Sequence, residues 1–451
     1  IIGVINNYLW SYVLIVMLIG IGLWFTVRTR FVQIRCIPEM FRLMTEGAGA
    51  KPREGHISTF QAFCVSTASR VGVGNIAGIA IAVATGGPGA VFWMWVIATI
   101  GAASGFVEST LAQIYKAPRK GGGFVGGPAY YIGNVIGSSF FASVFAVLLA
   151  VTYGLIFNSV QANTISLSMQ TSFGFDTQMT GLAIAGFTAL VIFGGLTRIA
   201  KVVGVMVPVM AGAYILVALA VTALNITMVP EVLVTIVRCA FDFDAVLGAG
   251  FGMALMTGIK RGLFSNEAGM GSTPHAHAVA RVEHPAEQGL VAMFGVFTTV
   301  VIVTFTGIVI LVTGVLDFKT TGIELTQHAY TVGLGSFGMA FVAVCLFFFA
   351  FSTIMGWYFF GEQNVRFLFR SRGVLAYRVI VCAFIVTGAM LKVDFVWSLA
   401  DLFNGLMVLP NLVALVALHK VVGESLEDFE KKLDHYEERK SENIDDRMQR
   451  L

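Results

Sequence analysis

Residues 68–78 read A-S-R-V-G-V-G-N-I-A-G and lie in the middle of a hydrophobic stretch, 58–85, that is long enough to span a bilayer. Gly72, Gly74 and Gly78 stand where a membrane helix would otherwise be continuous. Backbone freed from helical hydrogen bonds is tolerated in a membrane only where protein buries it or where it lines a polar cavity. The stretch therefore predicts a broken helix with a binding site at mid-depth.

The composition places the chain in a lipid bilayer. Hydrophobic residues make up 57% and charged residues 12%, with a mean hydropathy of +0.81, whereas a soluble domain is roughly a quarter charged. The net charge of +3 is small and indicates no nucleic-acid partner. The five cysteines form no C-x-x-C pair and no regular framework, so we interpret them as buried apolar residues.

The chain is predicted to be an all-α, polytopic protein of the cell membrane. Eleven stretches are long and apolar enough to be spans, namely 8–27, 58–85, 88–116, 139–168, 177–195, 199–224, 243–268, 288–315, 337–365, 374–391 and 394–419. No basic residue precedes the first stretch and several follow it, which fits a retained helix better than a cleaved signal.

The connections between these spans predict an orientation. Every second connection is basic, starting with the one after span one, and the intervening connections hold only Arg238, Lys319 and Lys392. By the positive-inside rule, the N-terminus lies outside and the C-terminus lies in the cytoplasm.

The spans after the first divide into two sets of five, 58–224 and 243–419, which must run in opposite directions because five is odd. We expect an inverted repeat, joined by an extracellular connection at 225–242. The remaining parts are an extra N-terminal helix with a cytoplasmic amphipathic connection, 1–57, and a cytoplasmic tail, 420–451. In the tail, Leu426, Phe429, Leu433 and Tyr436 have the spacing of an amphipathic helix.

The first helix of the second set is also rich in glycine. It carries Gly248, Gly250, Gly252, Gly258 and Gly262. Glycine-interrupted segments at corresponding positions of two halves are a sequence pointer to a secondary-transport site. The alternative is that these glycines, like Gly74 and Gly78 at G-x-x-x-G spacing, only allow helices to pack closely.

A break of this kind offers two kinds of ligand group. The N–H groups of Val73, Gly74 and Asn75 lie at a half-helix N-terminus and suit an anion such as a carboxylate. Carbonyl groups near Ala68 and Val71 end the preceding half-helix and suit a cation. Span nine could complete the shell of a sodium ion with its adjacent Ser and Thr hydroxyls, unless these bond back to their own helix.

Four segments resemble the alanine/glycine:cation symporters of the amino acid-polyamine-organocation superfamily. They are G-G-P-G-A-V-F-W-M-W-V-I-A-T-I-G at 86–101, V-G-V-G-N-I-A-G at 71–78, F-S-N-E-A-G-M-G-S-T-P-H-A-H-A at 264–278 and S-T-I-M-G-W-Y-F-F-G-E at 352–362. The resemblance covers essentially the whole chain. It implies the LeuT-type fold with its 5+5 inverted repeat, and cation-driven uptake of alanine or glycine.

The resemblance also assigns residues. The substrate carboxylate would bind backbone N–H groups over Gly72, Val73, Gly74 and Asn75. Co-transported sodium would bind five groups, namely the carbonyls of Ala68, Val71 and Phe349 and the hydroxyls of Ser352 and Thr353.

A second sodium site is not favoured. The side-chain oxygen of Asn75 would match one of its ligands, but span eight offers only Thr298 and Thr299 as polar candidates. We therefore expect one sodium per substrate.

Bulky side chains near the break should limit the size of the substrate. Phe264, Met355 and Trp357 are candidates to close the pocket down to a methyl-sized side chain. Gln161 is a further candidate for the substrate's ammonium or carboxylate, although buried amides commonly bond across helices.

Charged residues within the spans need partners or a function. For Arg70 we expect a structural ion pair, with Glu108 as the first candidate partner and Glu267 as the second. Lys260 and Arg261 are expected near the cytoplasmic side of the second broken helix, lining an inner exit.

Other classes of protein fit less well. G-V-G-N-I-A-G lacks the strand and βαβ unit of a dinucleotide site, and no G-x-x-x-x-G-K-[ST] loop for ATP is present. His275, His277, Glu283 and His284 have no fixed zinc spacing, so we expect a cytoplasmic loop there. The chain is expected not to be an enzyme, and the alternatives to sodium symport are proton coupling and, in another class, an ion channel.

Overall fold

The structure is a computed structural model that describes residues 2–49, 57–119, 122–135, 137–243 and 250–448. Side chains are described through residue 47 in the first of these ranges, through 134 in the third and through 433 in the last. The described residues are overwhelmingly helical, as the composition predicts, and they include one small sheet of two strands.

The first part of the chain runs to the end of the third predicted span. Its helices are α1 (Ile2–Arg28), α2 (Val32–Arg35), α3 (Ile37–Gly49), α4 (Thr59–Arg70), α5 (Ala77–Gly86) and α6 (Gly89–Ile114). α1 contains a π-helical turn, Leu9–Leu14, and a short 3₁₀ turn, Val73–Asn75, lies between α4 and α5. β1 (Ala117–Pro118) then pairs antiparallel with β2 (Phe124–Val125).

The middle of the chain completes the first half of the fold. Its helices are α7 (Pro128–Val135), α8 (Ser139–Phe173), α9 (Thr177–Ile192), α10 (Gly195–Leu224) and α11 (Val229–Ala240). α8 contains a π-helical turn, Thr152–Phe157, and a 3₁₀ turn, Ile226–Met228, precedes α11.

The last part of the chain begins with a second interrupted helix. Its helices are α12 (Gly250–Asn266), α13 (Pro274–Ala278), α14 (Pro285–Val312), α15 (Gly322–Leu334), α16 (Ser336–Phe369), α17 (Val374–Met390), α18 (Val393–Ala417) and α19 (His419–Met448).

Every predicted span coincides with helix. Within the described residues, seven helices are long and apolar enough to cross a membrane, and α5, α9 and α17 are shorter apolar helices. The span predicted at 58–85 is α4 and α5 together, separated by the predicted break. The span predicted at 243–268 corresponds to α12, with 244–249 outside the described residues.

The second break lies later in the chain than the glycine pattern predicts. α12 is continuous through Gly252, Gly258 and Gly262 and ends only at Asn266. A Cβ on Gly258 would lie 2.6 Å from the carbonyl oxygen of Ala90, and one on Gly262 would lie 2.5 Å from the Ile97 side chain. Gly258 and Gly262 therefore let α12 approach α6 closely, which is the packing role given above as the alternative; Gly248 lies outside the described residues.

The C-terminal helix packs against the membrane helices, as its pattern predicts. Leu426 and Phe429 of α19 are buried. Arg35 donates to Glu430 at 2.5 Å, and His284 pairs with Asp428 at 3.1 Å. The side chain of Tyr436, the last member of the predicted apolar face, lies outside the described residues.

Candidate functional site

The first break is held open by contacts that leave no room for side chains. α4 begins with a capping box, in which Ser58 and Gln61 each bond the other's backbone N–H at 3.1 Å. After Arg70 the backbone becomes extended at Gly72, where an added Cβ would collide with the Thr353 hydroxyl. A Cβ on Gly74 would lie 3.0 Å from the Phe264 ring.

Asn75 ties the break together instead of facing a ligand with its side chain. Its Nδ2 donates to the carbonyl oxygen of Arg70 at 2.5 Å, which spans the break. Its Oδ1 accepts a hydrogen bond from Ser265 of α12. The side-chain oxygen therefore bonds the second broken helix, and the expectation of a single sodium site stays a prediction.

The structure brings together all the oxygen atoms assigned to sodium. The Thr353 hydroxyl lies 2.7 Å from the Ala68 carbonyl oxygen, 2.9 Å from that of Phe349 and 3.4 Å from that of Val71. Ser352 donates to the Phe349 carbonyl at 2.8 Å. All these residues are fully buried. Thr353 has one proton for three carbonyl oxygens, so the cluster has a surplus of lone pairs and suits a hard cation.

Gln161 of α8 lies against the N–H groups of the break. Its Oε1 accepts from the Val73 N–H at 3.2 Å. Its Nε2 is buried and has no hydrogen-bond partner among the described residues. The side chain thus places a carbonyl oxygen where the substrate carboxylate is expected, and its amide N–H₂ is left to bond something else.

Aromatic rings cover the same region. Phe264 lies 4.9 Å from Phe157, 5.8 Å from Trp357 and 5.0 Å from Trp397, measured between ring centroids. Phe264 and Trp357 are therefore beside the break, as expected. Met355 is buried on the same helix as Trp357. The hydrogen bonds of α16 to the first break come from Thr353, so the part of Met355 in the pocket stays a prediction.

These features match known proteins along the whole chain. The model of the sodium:alanine symporter family matches residues 1–443. The chain belongs to this family.

Individual relatives agree with the family assignment. The symporter is 48% identical to the probable sodium/glutamine symporter GlnT of Bacillus subtilis (strain 168), over 95% of this chain and 90% of that protein. It is 42% identical to the putative sodium/proton-dependent alanine carrier protein YrbD of the same organism, over 95% of this chain and 91% of that protein.

The fold is that of the LeuT type. The crystal structure of MhsT in complex with L-phenylalanine superposes with a TM-score of 0.60 at 14% sequence identity, covering 83% of this chain and 96% of that one. The family match, and not the fold, shows that the chain is a membrane transporter and not an enzyme. The boundaries proposed for the two repeats stay a prediction.

The second break of this symporter is the segment between α12 and α13. Glu267, Gly269 and Gly271 have φ of +54°, +82° and +80°, a backbone region that strains residues with a Cβ. Buried Glu108 of α6 accepts from the N–H groups of Gly269 and Gly271 at 3.2 and 2.9 Å and from Asn411 Nδ2 at 3.1 Å. α6 and α18 thereby stabilise the opened backbone.

The expected ion pair of Arg70 is not present among the described residues. Its guanidinium donates to the Ala292 carbonyl at 2.7 Å and to the Thr273 hydroxyl at 3.0 Å. Glu108 and Glu267 are bonded by other donors. Arg70 therefore joins the end of α4 to α13 and α14 through neutral acceptors, and the prediction of a direct pair with either carboxylate is wrong.

Lys260 and Arg261 line a cavity of about 630 Å³ that the sequence did not predict. Both pair with Asp401 of α18, Lys260 at 3.1 Å. The rim includes exposed Glu324, in the connection after span eight, and exposed Asp394, at the start of span eleven. Both positions lie on the side that the orientation above predicts to be outside, so that orientation and the expected inner exit cannot both hold, and the inner exit stays a prediction.

The buried floor of this cavity leads to the first break. Trp397 lines the cavity and packs on Phe264 at 5.0 Å between ring centroids. The Arg261 guanidinium lies 4.7 Å above the Trp397 ring. One aromatic side chain thus separates the cavity from the rings beside the break, and the Arg261–Asp401 pair lies next to it.

The extra N-terminal helix reaches the same place. Trp10 is completely buried, and its Nε1 donates to the Asp401 carbonyl at 3.1 Å. Lys260 Nζ lies 5.5 Å from the centre of the Trp10 ring. Asn6 donates to the Ser398 carbonyl at 2.9 Å. α1 therefore positions the part of α18 that carries Asp401.

The first half of the histidine-rich segment is a buried helix, not a loop. His275 and His277 lie on α13, and burial lowers the pKa of His277 from the ordinary 6.5 to about 3. Its ring nitrogens lie 2.9 Å from Gln288 Oε1 and 3.0 Å from Ser66 Oγ. The expected loop is therefore wrong for His275 and His277, whereas Glu283 and His284 do lie in the connection between α13 and α14.

Sequence reasoning did not assign a role to Trp10, Trp397 or Asp401 at the site. Trp10 had no visible signal, because it lies outside the two repeats. Asp401 did have a signal in the sequence, because a carboxylate within a span needs a partner. Lys260 and Arg261 of α12 are cations that could provide one.

Proposed function

We propose that this chain is a symporter that couples the entry of sodium to the uptake of a small neutral amino acid, alanine or glycine, by alternating access. The observation that supports the proposal best is the buried cluster of three carbonyls and two hydroxyls between the first break and α16. Unwound backbone carbonyls are the usual ligands for a coupling sodium ion in transporters. Sodium bound there would attach α4 to α16.

The substrate would bind on the other side of the same break. Its carboxylate would replace Gln161 Oε1 at the Val73 N–H and reach the neighbouring N–H groups of Gly74 and Asn75. Gln161 would then be free to bond the substrate with its buried, unpartnered amide. Sodium would order the carbonyl end of the break, and the amino acid would order the N–H end. Because both ends belong to one segment, binding of either ligand would stabilise the binding site of the other.

The aromatic cover favours a small side chain. Phe157, Phe264 and Trp357 pack on one another with ring centroids 4.9 to 5.8 Å apart, which leaves a methyl group or a hydrogen as the fitting substituent. A relative named for glutamine makes that amino acid the second candidate. The alternative coupling ion is a proton, because the name of YrbD includes both sodium and protons.

The cavity above Trp397 would be the entry route from the outside, with the N-terminus outside and the C-terminus in the cytoplasm. Movement of Trp397 and rearrangement of the Arg261–Asp401 pair would close it over bound substrate. Labelling of single cysteines introduced at exposed Phe318 and exposed Arg372 tests this orientation. We expect an impermeant reagent to label intact cells at position 318 and not at 372.

Uptake of radiolabelled alanine into proteoliposomes, with and without a sodium gradient, tests the function. We expect sodium-dependent uptake that unlabelled glycine inhibits more strongly than unlabelled glutamine. The Thr353→Val variant keeps the side-chain shape and removes the hydroxyl oxygen, so its sodium affinity should fall at least tenfold, or about 1.4 kcal/mol. Thr387→Val, an exposed position on α17, is the matched control.

Three results would contradict the proposal. Undiminished uptake by a Ser352→Ala/Thr353→Ala double variant would remove both hydroxyls from the sodium site. Equal uptake with and without sodium, at constant pH, would point to another driving ion. Flux at channel rates would contradict alternating access.

A further inference from the structure

Glu267 connects the first break, the second break and α16. Its carboxyl group is completely buried. Oε1 accepts from the Trp357 indole at 2.6 Å, and Oε2 lies 2.8 Å from the Ser272 hydroxyl and 3.1 Å from the Ser69 hydroxyl. Ser69 directly follows Ala68, whose carbonyl belongs to the proposed sodium site. Glu267 is therefore placed between the two ligand sites.

The hydroxyl protons around Glu267 can be counted. Ser69 has a single proton, and its Oγ lies 2.7 Å from the Ser66 carbonyl, which can only accept. If that proton is donated to Ser66, the contact between Ser69 Oγ and Glu267 Oε2 needs a proton from the carboxyl group. The other arrangement is one serine proton shared between both acceptors, which gives each a weaker bond.

Glu108, at the other end of the same break, has a different set of partners. Two backbone N–H groups and the Asn411 amide donate to it, and none of these donors is able to accept. Glu108 is therefore surrounded as an ionised carboxylate. At Glu267 only the Trp357 indole is an obligatory donor, because the hydroxyls of Ser69, Ser272 and Tyr153 are all able to accept.

Charge balance favours the same distinction. The titratable or charged groups near Glu267 are Arg70 of α4, Glu108 of α6, Tyr153 of α8 and His277 of α13. The two nitrogens of His277 are occupied by Gln288 and Ser66. With Arg70 positive, Glu108 negative and His277 neutral, the cluster is neutral when Glu267 carries a proton. An ionised Glu267 would add a buried charge with no ion-pair partner among the described residues.

We infer that Glu267 is a proton-binding site that exchanges its proton when sodium binds. The inference rests on the proposed function, since it uses the sodium site beside Ala68. A cation there stabilises the ionised carboxylate, so sodium binding releases the proton, and by linkage protonation weakens sodium binding.

A binding experiment on the purified full-length protein tests this proposal. We expect sodium to release up to one proton per chain into weakly buffered solution, followed with a pH indicator. As the pH rises through the range in which Glu267 titrates, the sodium Kd should fall by up to tenfold per pH unit. The Glu267→Gln variant should release no proton and show a sodium affinity that is independent of pH.

A comparison of the thermal stability of two variants tests the proposal independently. Glutamine at 267 donates to the hydroxyls and accepts from Trp357, so its melting temperature should stay close to that of the wild type. Glutamine at 108 would turn its N–H₂ group towards at least one of the three donors, so Glu108→Gln should melt far lower. Equal destabilisation by the two substitutions would contradict a protonated Glu267.

Infrared difference spectra cover the case in which Glu267→Gln binds no sodium. In the wild type, sodium should remove a protonated-carboxyl band, and Glu267→Asp should shift that band. A wild type that binds sodium without losing such a band or releasing protons overturns the inference and leaves the proposed function standing. A wild type that binds no sodium overturns the proposed function itself.

Discussion

At the first break Gly72 has an extended backbone, with φ −130° and ψ −150°, whereas at the second break Glu267, Gly269 and Gly271 all have positive φ. Any residue could adopt the backbone at Gly72, yet nothing larger than hydrogen fits beside Thr353. The second break requires the backbone freedom of glycine instead. The first break is bonded mainly by neutral groups, whereas the second contains buried Glu267 and is bonded by buried Glu108. The first is thus shaped to receive ligands and the second to hold charge.

The largest effect is expected at Gly72. Gly72→Ala keeps an allowed backbone but forces its methyl group into Thr353, so we expect loss of sodium-dependent uptake with the protein still folded. Uptake assays combined with size-exclusion chromatography measure this. Gly186→Ala, on α9 with open space around its Cα, is the control and should transport normally. Normal uptake by Gly72→Ala would show that the close contact has no functional role.

A substitution at the second break should lower the free energy of unfolding. In Gly271→Ala the methyl group would lie 2.8 Å from Phe145 and 2.9 Å from Asn411 at a φ of +80°, so strain and overpacking together should cost about 2 to 5 kcal/mol. Gly174→Ala has a φ of +71° and open space, so it measures the backbone strain alone. Thermal unfolding in detergent compares the two. An equal loss in both variants would mean that packing at the second break contributes nothing.

A third test measures how the stability of the protein depends on pH through His277, in the helix after the second break. Because burial lowers the pKa of His277 from 6.5 to about 3, the neutral form stabilises the fold. This contribution is complete above pH 6.5 and is lost as the pH falls towards 3, by up to about 1.4 kcal/mol per pH unit. His277→Gln should lose less stability on acidification than the wild type does. Parallel unfolding curves for both proteins would contradict this expectation.

The smallest effect should come from outside both breaks. Trp10→Phe removes the bond to the Asp401 carbonyl and should cost about 1 kcal/mol, seen as weaker alanine binding if α1 positions the cavity floor. Tyr12→Phe, at an exposed site on the same helix, is the control. If both variants bind alanine alike, α1 stabilises α18 without influencing the site.

The sequence predicted the helices and the first break well, because both depend on local pattern. A run of apolar residues has few alternatives to a membrane helix, and Gly72 with Gly74 has no other evident use. The second break was placed too early, because Gly258 and Gly262 have the same spacing whether they open a helix or let it pack on α6. Their role depends on Ala90 and Ile97, residues that are distant in sequence.

The candidate site divides in the same way. Ala68, Val71, Phe349, Ser352 and Thr353 were grouped through a family resemblance, and the structure brings their oxygens together. The partners of Arg70 could not be predicted, since the nearest acceptors are neutral groups of α13 and α14 with no signature of their own. The side of the molecule on which Lys260 lies depends on how α12, α15 and α18 converge.

Residues of the N-terminal segment, outside the two repeats, hold α18 and the helix that follows it in place. Asn6 and Trp10 bond the first half of α18, while Arg35 bonds α19 directly after it. A helix held this way serves as a fixed reference within a moving protein. In spectroscopic distance measurements, a label on α18 would stay in place, so changes measured from it would report the displacement of α4, α5 or α12 alone.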